Sequence, residues 1–160
     1  MKQRAFTIRM AEYDLPEELQ PEQADLVNRA REAARNAYAP YSNYRVGAAV
    51  LLENGEVITG NNQENAAYPS GLCAERVAVF YAGAKYPGVP VLKLAIAAMD
   101  NGGFQEQPVA PCGGCRQVLY EKEMQGGRPI EVILYGSRKT RVLRQAVDLL
   151  PLPFEFSRPG

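Results

Sequence analysis

Three cysteines and one glutamate are the residues of this chain whose types and spacing could carry chemistry. Glu75 follows Cys73 at the second position, and Cys112 and Cys115 form a C-x-x-C pair further along the chain. The chain contains no histidine. Nucleophilic catalysis by a Ser–His or Cys–His pair is therefore excluded, because both need an imidazole base.

The three thiols are suited to a metal site. Cys73 and Cys112 are expected at helix starts, where free N–H groups and the helix dipole favour the thiolate. Zinc prefers four ligands, and structural zinc sites fill all four with Cys and His. Three thiolates leave a position that water fills most naturally, which is the pattern of catalytic zinc. A carboxylate or a second chain could instead close the site, and the C-x-x-C pair alone could be a redox dithiol.

Glu75 and Arg76 add the groups that a hydrolytic zinc site needs. Glu75 points away from the helix face of Cys73, so it can reach a metal-bound water without ligating the metal. Three thiolates against Zn²⁺ leave a negative charge, which the Arg76 guanidinium would offset. Taken singly, Glu75 could merely complement the helix dipole, and Arg76 could be a surface charge. The complete pattern fits the all-cysteine form of the zinc deaminase signature, in which C-x-E precedes P-C-x-x-C.

The elements that must position these residues are those of one α/β domain. Helices are predicted from Pro21, from about Cys73 and from about Cys112. Strands are predicted at 46–52, 56–59, 92–99 and 130–135, the first two as a hairpin around Asn54-Gly55, while 142–150 is ambiguous between strand and helix. Residues 1–20 are expected to be an N-terminal arm and residues 21–160 a single domain. The second helix is expected to place four apolar residues on one face: Val77, Phe80, Tyr81 and Ala84.

Composition excludes several classes of partner. The 18 Lys and Arg residues are balanced by 18 Asp and Glu residues, so the basic excess that binds nucleic acid is missing. No apolar run approaches the roughly 20 residues of a membrane span. Residues 1–10 lack the apolar segment of a secretory signal, which predicts a cytoplasmic protein.

Five blocks of the sequence resemble the cytidine deaminases, specifically the small, homotetrameric, zinc-dependent type. In order along the chain, the blocks are 41–49 (YSNYRVGAA), 62–69 (NQENAAYP), 71–76 (GLCAER), 111–117 (PCGGCRQ) and 149–151 (LLP) before Phe154. The resemblance covers roughly residues 22–156. It implies a three-layer α/β/α fold with a mixed five-stranded sheet.

The resemblance also implies an activity. The chain would convert cytidine and 2′-deoxycytidine to uridine and 2′-deoxyuridine with release of ammonia, as part of pyrimidine salvage. One zinc ion per subunit, a small nucleoside substrate and a homotetramer with shared active sites follow from the same likeness.

Residue roles carry over by position. Cys73, Cys112 and Cys115 would hold zinc, and Glu75 would move a proton from water to N3 and then to the leaving amine. The substrate would be bound by Asn62 and Glu64 at the ribose 3′-hydroxyl and by the backbone of Ala74 at the pyrimidine O2. Arg76 would temper the thiolate charge.

Two aromatic residues complete the expected site. Tyr44 would flank the base at a position where relatives usually carry Phe. Phe154 would reach into the site of a neighbouring subunit, although a tail residue packing into its own core is the alternative.

Other activities stay open at this point. A deaminase of another aminopyrimidine nucleoside is the nearest rival, and one acting on an antibiotic such as blasticidin S is more distant. A thiol oxidoreductase would use Cys112 and Cys115 without metal, and a non-enzymatic zinc module would not need Glu75. A nucleic-acid editor would need a basic, aromatic channel, which the balanced charge does not favour.

Overall fold

A computed structural model describes residues 1–14 and 18–156, in which one mixed β-sheet lies between helices. The helices are α1 (Pro21–Arg35), α2 (Ala74–Lys85) and α3 (Gly113–Gly126). The strands are β1 (Met10–Tyr13), β2 (Arg45–Leu52), β3 (Val57–Asn61), β4 (Val91–Asp100), β5 (Gly103–Phe104), β6 (Glu131–Tyr135) and β7 (Thr140–Leu143). Short 3₁₀ helices lie at Tyr68–Ser70 and Ala146–Leu149. Residues 15–17 of the predicted arm (1–20) and residues 157–160 of the predicted domain (21–160) lie outside the described residues.

The order of the strands across the sheet is β1-β7-β6-β4-β2-β3, and β5 pairs with β4. Strand β2 is antiparallel to both of its neighbours, β3 and β4. Strands β3 and β4 therefore run in the same direction. Strand β6 is parallel to β4, and the chain between these two strands includes α3, as a crossover between parallel strands requires.

The prediction of a mixed α/β sheet is confirmed, but the number of strands is wrong. The described residues form seven strands, not five. The two extra strands are short: β1 lies in the predicted N-terminal arm, and β5 has only two residues in the predicted loop after β4. The ambiguous segment 142–150 contains the end of strand β7 and then a 3₁₀ turn.

Strand β1 is held at the edge of the sheet by side chains that are distant in sequence. It pairs antiparallel with β7, and Glu12 accepts hydrogen bonds from Lys139 Nζ at 2.7 Å and Arg141 Nε at 2.8 Å. Lys139 and Arg141 lower the pKa of the Glu12 carboxyl group. The sequence pattern of residues 1–20 does not predict this strand, because the residues that hold it, in and near β7, lie at the other end of the chain.

Buried apolar residues cover both faces of the sheet, which gives three layers. On one face, α1 packs Leu26, Val27 and Ala30 against Ala49 and other residues of the sheet. On the opposite face, α2 and α3 pack against residues that include Val50, Leu94 and Val132. Strand β4 lies between the two layers, as its nearly continuous apolar run predicts. None of the helices within residues 1–14 and 18–156 has both the length and the apolar character needed to cross a membrane.

Helix α2 turns a different face to the sheet from the one expected. Its buried apolar residues are Ala74, Ala78, Val79 and Ala82, whereas Phe80 and Tyr81 are 47% and 54% exposed. The reason lies in β3, where a Cβ on Gly60 would come within 2.5 Å of the Ala78 backbone nitrogen and 2.8 Å of the Ala74 carbonyl oxygen. A glycine opposite alanines lets the helix lie directly on the strand, which leaves no room for aromatic rings.

We expect Gly60→Ala to destabilise the protein by about 1–3 kcal/mol, because the added methyl group overpacks the contact between β3 and α2. Urea unfolding would measure the loss. Gly114→Ala is the matched control, because nothing lies within 4 Å of a Cβ there and alanine is the better helix former by about 0.5–1 kcal/mol. Equal stability of Gly60→Ala and the wild type would contradict the close packing.

Candidate active site

The three cysteines meet because two helices begin at the same edge of the sheet. Strands β3 and β4 run in one direction, and α2 and α3 are the helices that follow them. Cys73 and Cys112 are the N-cap residues of α2 and α3, and Cys115 lies in the first turn of α3. Both helix N-termini thus bring their free N–H groups and positive dipole ends to the sulfur atoms.

The sulfur cluster has the dimensions of a zinc site. The three Sγ atoms lie within 4.8 Å of one another, and those of Cys73 and Cys112 are 3.8 Å apart. A tetrahedral ion with Zn–S bonds of about 2.3 Å separates its sulfur ligands by about 3.8 Å. An all-sulfur donor set of this size fits zinc, and it supplies three of the four ligands.

The three thiols differ in acidity in the metal-free protein. The hydrogen bond from Cys115, followed by Arg76 and Cys112, lowers the pKa of Cys73 to about 5. The hydrogen bond to Cys73 and burial raise the pKa of Cys115. Cys73 is therefore a thiolate at neutral pH, held by a protonated Cys115.

Arg76 lies beside the sulfur cluster. Its Nη2 is 3.7 Å from the Sγ of Cys73, and this contact raises the pKa of the guanidinium. Within the described residues, its Nε is buried without a hydrogen-bond partner. The guanidinium thus places a permanent positive charge beside the sulfur atoms. This is where Arg76 must lie to offset the charge of the thiolates, as predicted from the sequence.

Glu75 lies in the second position of α2 and is 5% exposed. Burial is the main cause that raises the pKa of its carboxyl group, and the negative charge of Cys73 adds to it. The carboxyl group remains accessible from one side, because Glu75 lines a cavity together with Cys73 and Cys112. A carboxyl group in this environment can both accept and release a proton.

This cavity has a volume of about 330 Å³, which is large enough for a small molecule. The lining residues are Ser42, Tyr44, Val46, Asn62, Glu64, Cys73, Glu75, Ile96, Val109, Ala110 and Cys112. A neighbouring cavity of about 460 Å³ shares Ser42, Asn62, Glu64 and Cys73 with it and also contacts Arg76. Apolar walls with a few convergent polar groups are typical of small-molecule sites.

Asn62 is fixed by the backbone of β2. Its Oδ1 accepts a hydrogen bond from the Val46 N–H at 2.7 Å, and its Nδ2 donates to the Tyr44 carbonyl oxygen at 2.9 Å. The amide group still has one N–H and one acceptor position for a ligand. Asn62 is thus a rigid polar group in the cavity wall.

Glu64 is fixed by the loop that precedes β2. Its carboxylate accepts hydrogen bonds from the Tyr41 N–H at 2.8 Å and from the Ser42 N–H and hydroxyl. These contacts, that of the Ser42 hydroxyl above all, lower the pKa of Glu64. Ser42 is not among the site residues predicted from the sequence, although its hydroxyl also accepts a hydrogen bond from the Tyr44 N–H at 3.0 Å. A serine whose hydroxyl accepts from the backbone N–H two residues later forms a Ser/Thr turn, so the Ser at this position is the signal that could have been used.

Tyr44 lines the cavity, whereas Ala74 lines neither cavity and lies in the chain between Cys73 and Glu75, which do line it. The pKa of Tyr44 is raised by burial and by the negative charge of Asp100. Ala74 is the first residue of α2 and is buried, so its backbone N–H belongs to the helix end that lacks intrahelical partners.

Phe154 does not join the other predicted residues. It lines neither of the two cavities and is 71% exposed, so it does not pack into the core of its own chain. Its backbone is held by Gln117, a residue of α3 to which the sequence analysis gave no role.

Comparison with known proteins places the chain among deaminases. Residues 21–126 match the family model described as the cytidine and deoxycytidylate deaminase zinc-binding region. The cytidine deaminase of Halalkalibacterium halodurans is 45% identical over 96 residues, which are 60% of this chain and 68% of that protein. The cytidine deaminase of Sporosarcina psychrophila is 44% identical over 96 residues, which are 60% and 66% of the two chains.

Solved structures extend the likeness over more of the chain. The cytidine deaminase of Burkholderia pseudomallei superposes with a TM-score of 0.71 at 39% identity, covering 85% of this chain and all of that one. That of Mycobacterium tuberculosis has a TM-score of 0.65 at 37% identity, covering 86% of this chain and all of that one.

In metal-free protein, we expect iodoacetamide at pH 6.5 to label Cys73 much faster than Cys115, because only the thiolate reacts. Peptide mass spectrometry would measure both rates. Arg76→Gln should slow the labelling of Cys73, and addition of one equivalent of zinc should protect all three cysteines. Equal labelling rates at Cys73 and Cys115 would contradict the assignment of the thiolate.

Proposed function

The chain belongs to the cytidine and deoxycytidylate deaminase family, and from this premise we propose which of its residues carry out the hydrolytic deamination of cytidine to uridine and ammonia. The observation that carries the proposal is the cavity that buried Glu75 lines together with Cys73, Cys112, Asn62 and Glu64. One cavity thus combines a metal-binding group, a proton carrier and polar groups for a sugar.

We assign zinc binding to Cys73, Cys112 and Cys115, with one ion per subunit. The sulfur separations support this assignment, and no other group of three potential metal ligands was found in the described residues. When bound, the zinc ion supplies a Lewis acid that lowers the pKa of a coordinated water molecule. Arg76 and the two helix N-termini offset the charge of the three thiolates, which would otherwise weaken that effect.

Glu75 is the proton carrier of this proposal. Deamination at C4 of cytosine requires removal of a proton from water, protonation of N3 and protonation of the leaving amine. Two carboxyl groups share the cavity with Cys73 and Cys112. Glu64 is held by Tyr41 and Ser42, whereas Glu75 is buried beside the sulfur atoms at the start of α2 and is therefore the candidate. Its burial removes competing water, so that a proton taken at one atom can be delivered to the next.

Asn62 and Glu64 bind the ribose in this proposal. Glu64 is ionised and already held by three donors, so it presents a fixed acceptor to the 3′-hydroxyl group. Asn62 offers the remaining positions of its amide group. Because the 3′-hydroxyl is common to cytidine and 2′-deoxycytidine, we include 2′-deoxycytidine as a substrate.

The base is held by backbone and aromatic groups. The N–H of Ala74 lies at a helix N-terminus, which suits the partial negative charge of the pyrimidine O2. Tyr44 flanks the ring from the cavity wall. Its hydroxyl group distinguishes this wall from the Phe expected at that position.

A homotetramer with shared active sites accounts for the exposed aromatic residues. Phe80 and Tyr81 on α2 are about half exposed. Phe154 and Phe156 in the tail are more exposed still. Large apolar side chains of this kind mark contact surfaces when they are contiguous. We propose that Phe154 enters the cavity of a neighbouring copy, and that the enzyme acts in pyrimidine salvage in the cytoplasm, where thiols remain reduced.

We expect Glu75→Gln to lower kcat for cytidine by about 10²–10⁴-fold while leaving one zinc ion per chain, because the amide cannot carry the proton. Loss of the cytidine absorbance band would measure the rate, with 2′-deoxycytidine assayed in parallel and 2′-deoxycytidylate as a test for nucleotide substrates. Wild-type protein that binds zinc but acts on neither nucleoside would disprove the substrate assignment.

We expect Phe154→Ala to raise KM for cytidine about tenfold, since stacking of an aromatic side chain on a base contributes roughly 1–3 kcal/mol. Sharing between subunits can be tested with hybrids of Phe154→Ala chains and excess Glu75→Ala chains. The Phe154→Ala sites should regain the wild-type KM, because Phe154 arrives from the Glu75→Ala neighbour. Hybrids that keep the raised KM would show that Phe154 acts within its own chain.

A further inference from the structure

Gln117 binds the backbone of Phe154 from both sides. The Phe154 N–H donates to Gln117 Oε1 at 3.0 Å, and Gln117 Nε2 donates to the Phe154 carbonyl oxygen at 2.9 Å. We infer that Gln117 is a positioning residue that sets the direction in which Phe154 leaves its own subunit. This inference rests on the proposed function, in which Phe154 completes the site of a second copy.

The paired contact fixes the backbone where little else does. Residues 153–156 form neither helix nor strand, and the ring of Phe154 is 71% exposed. Packing within the chain therefore does not set the direction of the ring. A side-chain amide that both donates to and accepts from one residue restrains that residue's peptide planes, as a paired strand would.

Two further contacts extend the attachment along the tail. The Tyr120 hydroxyl, one helical turn after Gln117, donates to Glu155. Arg116 Nη1 donates to the Leu149 carbonyl oxygen at 3.1 Å. The same guanidinium is anchored at the start of α3, because its Nε donates to the Pro111 carbonyl oxygen at 2.8 Å. The tail is thus tied to α3 before and after Phe154.

The position of Gln117 links two active sites. Helix α3 supplies Cys115 to the zinc site of its own chain, and two residues later it holds the tail that serves a neighbour. A role of Gln117 in the nearby metal site would act within its own chain. A role through Phe154 would act in the neighbouring chain, and this difference can be measured.

The first test is kinetic. Gln117→Leu and Gln117→Met remove both hydrogen bonds and replace the amide with an apolar side chain of similar size. We expect either variant to raise KM for cytidine about fivefold with kcat within about twofold and zinc content unchanged. Gln125→Leu is the matched control on the same helix, because Gln125 is exposed and its Oε1 accepts a hydrogen bond from Lys122, far from the tail.

The second test uses hybrid oligomers purified through two different tags. Gln117→Leu chains are assembled with excess Glu75→Ala chains, which have inactive sites but an intact Gln117–Phe154 contact. The Gln117→Leu sites should then regain the wild-type KM, because their neighbours supply a correctly held Phe154. A KM that stays raised in the hybrids would overturn the inference, since it would place the effect within the chain that carries the substitution.

The Phe154→Ala variant separates failure of this inference from failure of the proposed function. If Phe154→Ala raises KM but both Gln117 variants match the wild type, the inference is wrong and the shared site stands. If Phe154→Ala itself matches the wild type, the shared site is wrong and the inference falls with it.

Discussion

The direction of two strands is the constraint on which the rest of the site depends. Strands β3 and β4 are both antiparallel to β2, so the helices that follow them begin at the same edge of the sheet. This arrangement places two cysteines at N-caps and a third one turn later, with their sulfur atoms within 4.8 Å. The close contact of α2 with Gly60 fixes the first of these helices and thereby fixes Cys73, Glu75 and Arg76 together.

The N-terminal end of α2 gives Cys73 and Glu75, two residues apart, opposite electrostatic environments. Cys73 is stabilised as a thiolate by hydrogen bonds and by Arg76, whereas burial raises the pKa of Glu75. Groups whose environments move their pKa values apart can take different chemical roles in one site. Here the environment of Cys73 suits a metal ligand, and that of Glu75 suits a group that exchanges protons, as the proposed function requires.

The polar side of the cavity, which the proposed function assigns to the substrate, is held by hydrogen bonds within the protein. The Asn62 amide is bound to the backbone of β2, and the Glu64 carboxylate is bound to the loop before it. Such groups lose little freedom on binding a nucleoside, which is the benefit of preorganisation. The tail follows the same principle, since Gln117 restrains the backbone of Phe154 while the ring remains free to contact another molecule.

The sequence by itself determined the helices of the site, the central strand and the chemistry of the ligands, because caps, turns and apolar runs are encoded by neighbouring residues. It did not determine that β1 joins the sheet, since that strand is held by Lys139 and Arg141 from the other end of the chain. The face of α2 predicted from the sequence to be buried was also wrong, because the absence of a side chain at Gly60 decides which face lies on the sheet. The sulfur distances, the bound amide of Asn62 and the attachment of Phe154 to Gln117 were decided only by the tertiary structure, because each joins residues that local sequence patterns do not connect.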